Sequence, residues 1–237
     1  AVIKILEEIR NSSSKYSVSQ LHDALLNASH IYSAIVTRVL KVANLLPTCG
    51  AIAGVIALTD NERGVWKAPA NVSINGATDL SIKLTDHQQE NLNIDPSSGK
   101  SINAIRFFQG RGILVWGART LAGNNPEWKY LSVSRTIIYL KQSCKLAVKP
   151  YVFEPNDKNT WNAISSMISN FLNSIWREGG LQGMKESDAY FVQCGLGSTM
   201  TSSDILNGTL HISIGVALLK PAEFMVFSIE EKLASSI

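Results

Sequence analysis

LHISIGVALLK, residues 210–220, then the break Pro221-Ala222-Glu223, then FMVFSIEEKL, residues 224–233, is the stretch that decides how the rest of this chain is built. In its first half Leu210, Ile212, Ile214, Val216 and Leu218 fall on one side of an extended backbone and His211, Ser213, Gly215 and Ala217 on the other. That period of two marks a strand with one apolar face. In the second half Phe224, Met225, Val226 and Phe227 are apolar in succession, so a strand there needs cover on both faces. Little chain follows to supply it. Residues 224–229 either insert into sheet built earlier in this chain or are completed by another copy.

Working outward, the strongest helix signal covers residues 157–177. Trp161, Ile164, Ile168, Phe171, Leu172, Ile175 and Trp176 recur at steps of three and four, Asn156 or Asp157 caps the start, and Gly179-Gly180 offers a left-handed stop. A second helix is expected from Ser132 or Ser134, as cap, to about Val148, with Pro150 beyond its end. Its stripe of Val133, Ile137, Leu140, Cys144 and Ala147 is apolar; Arg135, Lys141, Lys145 and Lys149 make the rest of its charge one-signed. Strands are expected over residues 80–84, 102–107, 113–121 and 188–194. Helices are expected over 3–9, 18–28, from Thr48 as cap through the small-residue run GAIAGVIAL, and over 86–92 behind a Thr85/Gln88 capping box. Ile31 to Val42, rich in β-branched residues, reads as one or two strands. The interleaving favours an α/β fold, a mixed sheet covered by helices. Residues 1–44 read as N-terminal helices and strands and 45–237 as a core domain carrying the C-terminal strands, the two together expected to form one compact domain.

The 237 residues are 45% hydrophobic, enough for a sizeable core, while charged residues are only 17%, which hints that part of the surface is covered by partners. Cys49, Cys144 and Cys194 are odd in number and widely spaced, which argues for a reducing compartment rather than a disulfide framework. A net charge of +3 calls for no nucleic-acid partner, and no uncharged run reaches the ~20 residues of a membrane span. No basic-then-apolar leader precedes the first helix.

Catalytic patterns come close and fail. Ser98-Gly99-Lys100-Ser101 ends like a phosphate loop, but Ile94 stands where the first glycine belongs and Pro96 removes an N–H. Gly110-Arg111-Gly112 precedes a strand, the reverse of a dinucleotide site. No GxSxG pentapeptide occurs. His22, His30, His87 and His211 read as ordinary surface or hydrogen-bonded histidines. Asp79, Asp86 and Asp95 are too loosely spaced for a metal or an acid/base pair. No catalytic, cofactor or metal residue is assigned. A hydrolytic or nucleotide-handling α/β enzyme remains the alternative class.

Six motifs in order carry a resemblance: Gly50 to Gly54, the DNERGVWKAPAN loop at 60–71, SINAIRFFQGRGILVWGARTL at 101–121, FEPND at 153–157, DILNG at 204–208, and KPAEF at 220–224. Together they resemble the contractile tail sheath proteins of myophage tails, R-type pyocins and related injection systems, from about Leu45 to the C-terminus. The resemblance implies a non-enzymatic structural subunit that assembles in the cytoplasm, without a cofactor and without entering a membrane. It would polymerise helically around an inner tube and contract to drive the tube through a target envelope. It implies terminal strands shared between subunits, here Phe224, Met225, Val226, Phe227 and Ile229. The partners implied are further copies or sheath paralogues, the tube protein, and baseplate and terminal cap proteins. Arg135, Lys141, Lys145 and Lys149 are the candidate tube-facing helix face, with a solvated face as the plain alternative.

Overall fold

The computed structural model describes residues 2–10, 16–95, 97–123 and 125–223. The chain divides into two compact units, residues 1–50 and 51–237. The first contains α1 (Val2–Arg10), α2 (Val18–Ala28), α3 (His30–Ala43) and the start of α4 (Thr48–Arg63). Ser17 opens α2 with a capping box: its hydroxyl accepts from the Gln20 N–H, and the Gln20 side chain accepts from the Ser17 N–H. Ser29 serves two helices, donating its N–H to the Leu25 carbonyl to close α2 and accepting the Tyr32 N–H to open α3. The strands expected over residues 31–42 are therefore α3. The β-branched residues cost a helix only about 0.7 kcal/mol or less each, and Ile31, Ile35, Val39 and Val42 also satisfy helical spacing. A 2.8 Å hydrogen bond between His22 Nδ1 and the Tyr32 hydroxyl joins α2 to α3.

The second unit continues α4 and adds β1 (Val72–Ser73), α5 (Asp86–Asn93), β2 (Ala104–Phe108), β3 (Gly112–Trp116), α6 (Leu131–Val148), a 3-10 turn (Lys149–Tyr151), α7 (Lys158–Arg177), α8 (Glu186–Ala189), β4 (Tyr190–Gln193), α9 (Ser202–Leu206) and β5 (Ser213–Val216). The expected interleaved helix-and-strand fold is present. Its described strands lie in two sheets, β1-β3-β2 and β4-β5, paired antiparallel throughout. β2 and β3 form a hairpin closed by Phe108 opposite Gly112, where Gly110 and Gly112 take positive φ of 75° and 79°. β3 is central, and Ile113, Leu114 and Val115 are all buried. It stops at Trp116, short of the expected Leu121, because the backbone there changes partner: the Asn103 side chain accepts the Arg119 N–H (2.8 Å) and donates to its carbonyl (2.9 Å). The alternation over residues 80–84 forms no strand, and Ile82 stays 70% exposed. α6 starts earlier than expected, with Tyr130 at its cap, two residues before Ser132 and four before Ser134, so Ser132 lies inside it, buried.

α7 organises the core. Asp157 caps it by accepting the Thr160 N–H at 2.9 Å. At the other end the Gly180 N–H reaches the Ile175 carbonyl and the Gly179 N–H the Trp176 carbonyl, with Gly179 at φ 77°. This is the paired bond pattern of a glycine-stopped helix. Ile164, Ile168, Leu172 and Ile175 are buried with Leu140 and Cys144 of α6, Leu181, Ala189 and Tyr190. Leu210, Ile212, Val216 and Leu218, four of the five residues expected on one strand face, pack against this cluster. The fifth, Ile214, is 37% exposed. Trp66 joins the cluster between two glycines: a Cβ on Gly64 or Gly180 would lie 2.5 Å or 2.8 Å from its ring. Residues 224–229, the expected shared strand, lie outside the described residues.

Leu172→Ala is expected to lower unfolding free energy by about 2–5 kcal/mol, the cost of a cavity at a fully buried site. The exposed Ile82→Ala is expected to change it by about 0.5 kcal/mol or less. Urea denaturation of both variants checks the contrast.

Candidate assembly surfaces

The near-miss phosphate loop is occupied by its own side chains. Asp95 accepts from the Ser97 N–H (3.1 Å), the Ser97 hydroxyl (3.0 Å), the Ser98 N–H (3.2 Å) and the Ser98 hydroxyl. A carboxylate in the middle of the turn repels a phosphate, and the hydrogen bonds, the Ser98 hydroxyl foremost, hold the Asp95 pKa at about 2. No group of three or more His, Cys, Asp or Glu among the described residues is arranged to hold a metal. Burial raises the pKa of the Cys144 and Cys194 thiols, the opposite of what activates a nucleophile. His211 lies 3.9 Å from Asp204 on an exposed face. No helix among the described residues is by itself long and apolar enough to cross a membrane.

Two other surfaces leave groups open to a partner. Lys141 and Lys145 of α6 and Lys149, the first residue of the 3-10 turn that follows it, are exposed and follow one another at steps of four, while Ile138, on the same stripe, is 65% exposed. Arg135 differs from them. Its guanidinium makes a two-pronged pair with Asp60 of α4, at 2.7 and 2.5 Å, which raises its pKa, and the side chain is 23% exposed. That acid comes from 75 residues away, so the helix's own sequence could not reveal it.

The other surface is the β4-β5 sheet. Its inner face rests on α7, and on its outer face the Phe191 ring lies over Gly215, whose Cβ would fall 2.1 Å from it. Among the described residues neither strand has a second ladder partner, so both outer edges keep backbone groups to offer. Beyond β5 the chain passes Leu218, bridged to Leu181, and reaches Glu223, whose carboxylate is gripped by Arg119.

With these features in place, comparison with known families is decisive: the phage tail sheath protein central domain matches residues 7–121, and the phage tail sheath C-terminal domain matches residues 123–232. The chain belongs to the tail sheath protein family. The tail sheath protein of Vibrio phage KVP40 is 29% identical over 139 residues, 57% of this chain and 20% of that protein. The putative prophage major tail sheath protein of Pseudomonas aeruginosa UCBPP-PA14 is 24% identical over 194 residues, 80% of this chain and 47% of that one. Among solved structures, a chain of the anti-feeding prophage baseplate is 43% identical with a TM-score of 0.73, over 79% of this chain and 51% of that chain. A chain of the contracted sheath complex of the extracellular contractile injection system PVC is 42% identical with a TM-score of 0.72, over 76% and 50%. This sheath-family chain thus spans about half the length of those solved chains and less than half of the two curated relatives. The family match begins at residue 7, well ahead of Leu45, where motifs become legible; the helical first unit carries few of the glycines and prolines that make motifs recognisable.

Because the folded pKa of Asp95 lies below its unfolded value of 3.8, its contribution to loop order is full above about pH 4 and is lost as pH falls through about 2. An NMR titration of the Asp95 carboxyl and the Ser97 and Ser98 amides is expected to give a common midpoint near 2.

Proposed function

We propose that this chain is part of a structural, non-catalytic sheath subunit that polymerises helically around an inner tube and contracts to drive it through a target envelope. The observation that carries it is the 42% identity and 0.72 TM-score to a chain of a sheath complex solved in its contracted state. The assembly is a phage tail or a phage-tail-like injection particle, built from further copies or sheath paralogues and closed by baseplate and terminal cap proteins.

Within that assembly, Phe224, Met225, Val226, Phe227 and Ile229 form the strand shared with a neighbour. Four consecutive apolar residues need two covered faces, and the free edges of β4 and β5 are of the type that accepts an added strand. Main-chain hydrogen bonds then tie subunits together while their bodies rotate and repack, which is a bistable arrangement. A difference of ~1–3 kcal/mol per subunit between states, the scale of ordinary coupling energies, sums over many subunits to a one-way release. Lys141, Lys145 and Lys149 face an acidic tube exterior; Arg135, spent on Asp60, borders that face rather than leading it.

Negative-stain electron microscopy of the purified sheath protein is expected to show hollow cylinders of uniform width, and deletion of residues 224–237 to leave a folded protein that forms none. Cylinders from the deletion would discard the shared strand. K141E/K145E/K149E is expected to fold normally, since all three are exposed, but to lose co-sedimentation with the tube protein; unchanged co-sedimentation would discard that face.

A further inference from the structure

Between β5 and the terminal apolar segment the chain is held at two places. The first is the end of the sheet, where the Ala217 N–H donates to the Ala189 carbonyl and its carbonyl accepts the Gln182 N–H, each at 2.8 Å, beside the Leu218–Leu181 bridge. The second is Glu223, whose two carboxylate oxygens accept the Arg119 Nε–H at 3.0 and 3.1 Å while a terminal nitrogen of the same guanidinium completes the fork. From Leu219 to Ala222 no hydrogen bond holds the chain among the described residues. That segment forms one wall of an open cavity of about 610 Å³ rather than lying in a packed bed.

Arg119 is itself fixed. Its side chain is 8% exposed, against 24% for Glu223, and a further N–H reaches the Asn93 carbonyl at the end of α5 at 3.2 Å. Its backbone is bracketed by the Asn103 side chain and bridged to Tyr130. The carboxylate is therefore tied to a point where the end of α5, the segment before β2 and the start of α6 converge. A forked charge-assisted pair of this type defines direction as well as distance.

We infer that Arg119 and Glu223 form a latch that fixes the root of the C-terminal segment, so that the tether to a neighbouring subunit has a set length and starting point. This rests on the proposed reading of residues 224–229 as a shared strand. With the latch open the root retreats to Leu218, and Leu219 to Glu223 becomes slack worth up to about 17 Å of extended chain. The free strand then samples a larger volume, and its effective concentration at the receiving edge falls. Arg119→Lys keeps the charge and loses the fork, so it is expected to open the latch as well.

Two variants of the full chain separate the latch from general folding. E223Q keeps the shape of the pair, and R119M/E223L removes both charges together, so that no unpaired charge is left buried. Backbone amide order parameters of Leu219, Lys220, Ala222 and Glu223, measured below the assembly concentration, are expected to fall below about 0.6 in both, with α7 hydrogen-exchange protection unchanged. The protein concentration needed for cylinders is expected to rise roughly tenfold. Unchanged order parameters in Leu219–Glu223 would overturn the latch. A loosened segment with an unchanged assembly concentration would overturn its role as a tether setting. If R119M/E223L loses α7 protection through unfolding, E223Q alone decides. Polymerisation of the 224–237 deletion would instead defeat the shared strand, an outcome distinguishable because the order parameters are read within each unassembled chain.

Discussion

Burial of Ile164, Ile168 and Leu172 on one side of α7 is the constraint on which the second unit depends. Each is at most 1% exposed, and they back a sheet of only two described strands. A two-stranded sheet is marginal by itself in water. The helix supplies the apolar layer that further strands would otherwise provide. The sheet is thus stabilised from its face, while among the described residues its outer edges stay unspent. Had β4 and β5 gained stability from flanking strands of their own chain, no edge would remain for another chain to use. The strand sharing proposed for residues 224–229 would need this division, with side chains holding the body and main-chain groups kept for the assembly.

What was legible in the sequence follows from how local each signal is. α7 could be read because cap, periodic stripe and glycine stop all lie within residues 157–180 and agree with one another. α3 could not, because the β-branched content of residues 31–42 points to strand while the deciding cap, Ser29, lies just outside the run and doubles as the end of α2. The apolar alternation from Leu210 to Leu218 correctly found a face against the core, yet only Ser213–Val216 keeps ladder partners. Alternation reports which side is buried, not how far the pairing runs. The family motifs were legible as composition, and their partners were not. GARTL and KPAEF are 104 residues apart at Arg119 and Glu223, and nothing in either motif reveals that they meet.

The same limit reshapes the basic face of α6. In sequence Arg135, Lys141, Lys145 and Lys149 form one charged set, but the fold withdraws Arg135 into a pair with Asp60 and leaves Ile138 exposed among the lysines. An exposed charge pair contributes about 0–1 kcal/mol and is screened by salt. Covering an exposed isoleucine contributes about 1.5–3 kcal/mol and is not screened. A partner that covers this face would therefore gain more from Ile138 than from its contact with any single lysine. The lysines act chiefly on approach and orientation, where summed charge governs the rate of encounter. The tube proposed as its partner would be found through long-range charge and held chiefly through this short-range apolar contact. Holding of that kind is modest in strength and local in extent, as the proposed contraction requires.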